Sequence, residues 1–158
     1  MNKKLMVLCS FLLILILALP ASGQTYGLGF IFVEPTGLTV KMGLVNRQAL
    51  VGGLGWASQS GNPLLLQIDY LPPSLFLLND SNLKVNFYYG LGGRLIFNDG
   101  AEGGFRFPLG FDFLAQRAPL NFFFEIVPIL LLSPEARLSL KGAIGIRYVF
   151  KASSGRRL

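Results

Sequence analysis

The sequence contains no histidine and a single cysteine, Cys9, which lies inside an apolar run near the start. Without histidine the chain cannot build a Ser-His-Asp triad or the common histidine-bearing zinc sites. If the apolar run is removed as a leader, the mature chain has no thiol, which excludes disulfides and cysteine nucleophiles. We therefore predict that the protein is not an enzyme and has no catalytic residues, no metal site and no cofactor.

Charged residues are also scarce. They make up 14% of the chain, whereas an ordinary soluble domain has about 25%. The formal net charge of +6 comes mostly from the two ends of the chain, where Lys3, Lys4, Lys151, Arg156 and Arg157 lie. The part between them is close to neutral and has no basic stripe, so nucleic acid is not an expected partner.

The start of the sequence has the pattern of a secretory signal peptide. Met1–Lys4 is short and basic, Leu5–Leu19 is apolar except for Ser10, and small residues follow Pro20. An uncleaved anchor helix is the alternative, although the run is short for a span of about 20 residues. We predict a leader at 1–23, a folded domain at 24–150 and a basic tail at 151–158.

From Tyr26 onward, apolar and polar residues alternate in short runs separated by glycine, proline and asparagine turns. The connection Pro72–Asn82 is the longest, and a short helical turn is expected there. The pattern predicts eight strands: Tyr26–Val33, Leu38–Val45, Gln48–Ala57, Leu64–Leu71, Leu83–Phe97, Gly104–Ala115, Asn121–Leu132 and Arg137–Phe150.

The two faces of these strands indicate which one meets lipid. The apolar face is large and continuous, as a lipid-facing band requires, while the other face is rich in glycine with isolated charges, which suits a narrow lumen. We predict an all-β fold, a closed antiparallel eight-stranded transmembrane barrel with short loops. Two aromatic girdles are expected: Tyr26, Tyr70, Phe113, Phe122, Tyr148 and Phe150 at the end bearing the termini, and Phe32, Trp56, Phe97 and Phe105 at the other.

The polar side chains on the inward face form the one candidate site. Because a buried charge without a partner is costly, we expect them to pair in a structural network of salt bridges and hydrogen bonds. A proton or ion path, or a catalytic carboxylate pair, is the alternative. The predicted interior residues are Lys41, Gln67, Asp69, Lys84, Asn86, Arg94, Arg106, Asp112, Glu125, Lys141 and Arg147.

Several stretches resemble the small eight-stranded outer-membrane barrels of the OmpX and OmpA-transmembrane-domain type. They are Val33–Leu38, Tyr88–Arg94, Pro108–Leu114, Ala118–Leu120 and Gly145–Phe150, and the resemblance covers the predicted mature chain. It implies the same fold and an outer-membrane location in a Gram-negative-type bacterium. In that family a final aromatic residue, here Phe150, usually ends the chain and helps the assembly machinery recognise it, whereas here Lys151–Leu158 follow.

These observations favour a non-enzymatic barrel with an envelope-structural or surface role. Its expected partners are outer-membrane lipid and the barrel-assembly machinery. A surface-binding protein acting through loops such as Asn98–Gly103 on an unknown ligand is the second hypothesis. A secreted soluble barrel holding an apolar ligand, with its apolar faces inward, is the third, and a small channel is the fourth.

Overall fold

The computed structural model describes residues 25–56, 63–97, 101–132 and 135–151. The predicted leader, most of the predicted tail and parts of three predicted loops lie outside these residues. The described strands are β1 Thr25–Val33, β2 Thr36–Gly43, β3 Ala49–Trp56, β4 Leu64–Leu71, β5 Leu75–Asn79, β6 Leu83–Tyr89, β7 Leu91–Phe97, β8 Ala101–Arg106, β9 Leu109–Ala115, β10 Leu120–Leu131 and β11 Arg137–Lys151.

Eight of these strands form a closed hydrogen-bonded ring. The order around the ring is β1, β2, β3, β4, β7, β8, β10 and β11, and β11 pairs again with β1. Every neighbouring pair is antiparallel. A ring of this kind leaves no free sheet edge along its circuit, so its backbone groups are paired internally.

At the end of the ring that bears Thr25 and Lys151, three further strands lengthen the wall. β6 precedes β7 with only Gly90 between them, and β9 follows β8 after Phe107 and Pro108. β10 is long enough to pair with both β8 and β9. Pro108 has no N–H to donate, but Phe107 N donates to Pro128 O at 2.9 Å and Gly90 N donates to Pro108 O at 2.9 Å, so the wall continues through the interruption.

The predicted eight-stranded ring is confirmed, and six of the predicted strands differ from the observed ones only at their ends. The predicted strands Leu83–Phe97 and Gly104–Ala115 are each divided in two, at Gly90 and at Phe107–Pro108. The predicted second strand ends at Gly43 instead of Val45, because Asn46 and Arg47 adopt positive φ values of 59° and 62° in a short 3-10 turn. The sixth begins at Ala101, so hydrogen bonding shortens the expected loop Asn98–Gly103. The expected helical turn within Pro72–Asn82 is wrong. β5 forms there and pairs with β6 as a hairpin.

Small residues opposite large ones allow the interior to close. A side chain built at Gly53 would meet Gln67 Cγ at 2.7 Å, and one built at Gly110 would meet the Tyr88 hydroxyl at 2.7 Å. At Gly92 it would collide with the Asp69 carboxylate, and at Gly145 with the Phe123 ring. In each case the two residues are directly opposed on neighbouring strands. The glycines therefore provide the space that inward-facing side chains fill, as expected for an eight-stranded barrel.

Candidate functional site: the polar interior of the barrel

A first group of polar side chains surrounds Arg106, which is only 2% exposed. Its Nε lies 3.0 Å from Asp69 Oδ1, and its Nη2 lies 3.1 Å from Glu125 Oε1. The Tyr88 hydroxyl donates to Glu125 Oε2 at 3.0 Å. We call these four residues the Arg106 cluster. It joins strands β4, β6, β8 and β10 with one cation between two carboxylates.

A second group surrounds Arg147, which is also 2% exposed. Its Nη2 donates to Thr39 Oγ1 at 3.1 Å and its Nη1 to Asn121 Oδ1 at 3.4 Å. Asn121 Nδ2 donates to Asp112 Oδ1 at 3.2 Å, and Lys41 forms a salt bridge with the other oxygen of Asp112. We call these five residues the Arg147 cluster. The Arg147 guanidinium also lies over the Phe123 ring, 3.7 Å from its centroid.

The two clusters are adjacent and opposite in formal charge. The Lys41 ammonium lies 5.3 Å from the centroid of the Tyr88 ring, which links them. With all groups ionised, the Arg106 cluster carries one net negative charge and the Arg147 cluster one net positive charge, so together they are neutral. A buried charge is costly unless it is paired, and each of the six charged side chains in the two clusters has an oppositely charged partner.

Towards the two mouths of the barrel, the polar side chains are less fully paired. At the mouth away from the described termini, Lys141 Nζ lies 2.9 Å from Glu34 Oε2. Arg94 lies nearby, 6% exposed, and its buried Nε has no hydrogen-bond partner. At the other mouth, two cations approach the ring of Phe76 in β5. Arg47 Cζ lies 4.8 Å from the ring centroid and Lys84 Nζ lies 4.2 Å from it.

The structure brings most of the predicted interior residues together. Gln67, Asp69, Arg94, Arg106, Asp112, Glu125 and Arg147 are buried, while Lys41, Lys84, Asn86 and Lys141 are half-buried. The prediction did not include four further members of these contacts. These are Glu34, which lies in a turn, the uncharged Thr39 and Asn121, and the aromatic Tyr88. The alternation of inward and outward residues in β2, β10 and β6 would have identified Thr39, Asn121 and Tyr88.

The outward positions of the strands are apolar and exposed. Ile144 is 47% exposed, whereas its neighbour Ala143 is 2% exposed, and this contrast repeats along the ring strands. Aromatic side chains gather near both ends. Tyr26 stacks on Phe150 with ring centroids 5.7 Å apart, close to the exposed Tyr148, and at the opposite end Phe32, Trp56 and Phe105 are exposed.

Among the described residues, a cavity lies at each mouth of the barrel. The cavity at the mouth bearing the described termini has a volume of about 320 Å³ and is lined by residues that include Lys41, Arg47, Lys84 and Tyr88. The cavity at the opposite mouth has a volume of about 240 Å³ and includes Arg94, Glu102, Arg137 and Lys141. Five residues of the two clusters, Lys41, Tyr88, Asp112, Asn121 and Arg147, line the cavity at the mouth bearing the described termini.

The described residues lack two features. They contain no group of three or more acidic, histidine or cysteine side chains placed to hold a metal ion. Among the same residues there is no helix that combines the length and the apolar character needed to cross a membrane.

Comparison with known proteins finds one solved structure with a similar fold. The crystal structure of the N-terminal β-barrel domain of Pseudomonas aeruginosa OprF matches with a TM-score of 0.50 and 14% sequence identity, covering 80% of this chain and 96% of that domain. No family model and no curated protein matches the sequence. The predicted closed antiparallel barrel and the resemblance to small OmpA-type barrels are therefore confirmed at the level of the fold.

Proposed function

We propose that this chain is a non-enzymatic integral β-barrel protein of a bacterial outer membrane, with a structural role in the envelope or at its surface. The proposal depends on one observation about the ring. Within the described strands, no outward position carries a charged side chain. Thr36 is the one outward position with a non-aromatic polar side chain. A charged side chain on the lipid face of a barrel costs roughly 2–4 kcal/mol at the bilayer centre, so an uncharged outer face suits hydrocarbon.

Water would be a poor solvent for this surface. Apolar patches of more than a few hundred Å² are rare on monomeric soluble proteins. Here exposed leucine, isoleucine and phenylalanine side chains continue around all eight strands of the ring, from Leu28 in β1 to Phe150 in β11. Closure of the ring removes the unpaired backbone groups that hydrocarbon would penalise. Lipid is therefore the proposed partner of the outer face.

The interior supports a structural role and argues against two other hypotheses. A soluble barrel with an apolar ligand would need its apolar faces inward, but the inward faces carry the Arg106 and Arg147 clusters. A channel would need an open path, whereas the salt bridges and hydrogen bonds of these clusters connect strands across the described interior. We propose that the network stabilises the barrel and does not carry ions.

The absence of histidine from the whole sequence supports the non-enzymatic part of the proposal. The carboxylates Asp69 and Glu125 both pair with Arg106, as expected for a structural network. The assembly machinery for outer-membrane barrels is the proposed partner during biogenesis. The aromatic residue that it would recognise is Phe150, near the end of the last strand.

Fractionation of the expressing cell tests the proposal directly. The protein should sediment with outer membranes and resist extraction by high salt. It should also migrate on a denaturing gel at different positions before and after boiling, because a closed barrel resists detergent until heated. A monomer that is soluble without detergent and migrates identically before and after boiling would refute the proposal.

A further inference from the structure

The cavity at the mouth away from the described termini has an unbalanced charge. Three of its lining residues are cationic, namely Arg94, Arg137 and Lys141, and one is acidic, Glu102. Lys141 is also paired with Glu34 at the rim. The cavity of about 240 Å³ is far larger than the roughly 10–15 Å³ that a single water needs, so it can admit a small solute.

Arg94 is the residue that distinguishes this cavity from an ordinary solvated rim. It is 6% exposed, and its buried Nε has no hydrogen-bond partner. Within the part of the chain that the structure describes, no carboxylate forms a salt bridge with its guanidinium. Its charged neighbours are Glu34, Glu102 and Arg106, of which Glu34 is bound to Lys141 and Arg106 already contacts two carboxylates.

The backbone around Arg94 explains why space remains beside it. Across the strand pair, Arg94 faces Gly104, which has no side chain to contact the guanidinium. On its other side Arg94 faces Gln67, which is buried. A guanidinium held in a recess with an open side can offer its planar donors to a ligand, and this geometry suits the oxygens of phosphate or carboxylate.

We propose that this cavity, which we name the Arg94 cavity, binds a small phosphate-bearing anion that is dissolved in water. With Glu34 included, the described groups at this mouth comprise three cations and two carboxylates, which leaves one net positive charge and favours an anion. Phosphate has more acceptor oxygens than a carboxylate for the donors that line the cavity. Arg94, Arg137, Lys141 and Ser139 line the cavity with hydrogen-bond donors. Arg94, Arg137 and Lys141 alternate in phase with the buried Ile96 and Ala143, so they lie on the lumen side and the ligand enters from water.

Calorimetric titration with inorganic phosphate tests the proposal. The full mature chain is refolded in vesicles of phosphatidylcholine and titrated at low salt. Saturable binding at one site per chain is expected. Arg94→Gln should weaken it by about tenfold or more, because hydrogen bonds to charged groups are among the strongest. Glu102→Gln should tighten it several-fold by removing the competing carboxylate.

Lys84→Gln is the matched control, since it removes a half-buried lysine at the opposite mouth and should leave phosphate affinity unchanged. Boiled and unboiled gel samples establish that each variant is folded. If Arg94→Gln does not fold, Arg137→Gln at the exposed rim of the same cavity should also weaken binding. Absence of saturable binding by the native chain, or equal losses in the Arg94 and Lys84 variants, would overturn the site.

Vesicles that also contain phosphatidic acid distinguish a dissolved ligand from a lipid headgroup. Because the cationic residues face the lumen, the lipid phosphate should not compete, and the affinity for inorganic phosphate should be the same in both kinds of vesicle. Competition by phosphatidic acid would overturn the assignment of a water-soluble ligand.

Discussion

The outward and inward faces of the same strands obey different packing rules. Outward residues such as Ile144 are large, apolar and exposed, whereas inward residues are glycines, members of a paired polar network or buried apolar side chains such as Ile96 and Phe123. On the outward face of the described strands, side chains differ in size and none is charged. On the inside, charge is present and size is constrained by the opposite strand. This barrel therefore keeps its charged strand residues in a mixed interior and presents an apolar surface, whereas a soluble domain keeps its charged residues outside.

The largest loss in the free energy of unfolding should come from breaking the charge pairing in the Arg106 cluster. Arg106→Met leaves Asp69 and Glu125 buried without their cation, and removing one partner of a buried pair typically costs about 3–5 kcal/mol. Urea unfolding of the barrel in phosphatidylcholine vesicles measures this loss. Adding Asp69→Asn and Glu125→Gln to the Arg106→Met variant should restore much of the stability. A triple variant as unstable as the single one would show that charge pairing is not what Arg106 contributes.

Placing charge on the outside should have the next largest effect. Ile144→Arg puts a cation on the mid-strand outer face of β11 and should destabilise the barrel by roughly 2–4 kcal/mol in the same assay. Leu138→Arg, near the start of the same strand, is the control and should cost no more than about 1 kcal/mol, because the penalty falls near the membrane interface. Equal costs at the two positions would argue against a bilayer around β11.

Two adjacent glycines test the size rule on its own. Gly53 faces inward against Gln67, and Gly52 faces outward with nothing within 4 Å of an added Cβ. Gly53→Val should cost about 1–3 kcal/mol by overpacking. Gly52→Val should be neutral or slightly stabilising, since valine favours strands and glycine weakens them. The reverse order of the two unfolding free energies would contradict the assignment of the faces.

The smallest change in the free energy of unfolding is expected at the rim of the barrel, where both faces meet water. Lys141 and Glu34 form a salt bridge whose side chains are partly exposed, at 27% and 20%. Lys141→Gln should change the unfolding free energy by only about 0–1 kcal/mol, as for other exposed pairs. A loss as large as that of Arg106→Met would mean that the buried network extends to the rim.

The alternation in the sequence predicts which residues face inward but not which of them touch. The period of two places Lys41, Asp112 and Arg147 on one face, yet their meeting requires closure of the ring and the stagger between strands, which no local pattern encodes. β5 was not predicted because its first four residues, Leu75–Leu78, are all apolar and do not alternate with polar residues. The ring of Phe76 contacts Arg47 and Lys84, which are distant in sequence from each other.

Quenching of tryptophan fluorescence by brominated phospholipids tests most directly whether the outward face meets lipid. Trp56 is the single tryptophan, so Trp56→Phe provides a silent background for Phe124→Trp, on the outer face of β10, and Phe123→Trp, on its inner face. Both variants are first checked for heat-modifiable migration. The account predicts strong quenching of the tryptophan at position 124 and little at 123. Stronger quenching at 123 than at 124 would contradict it.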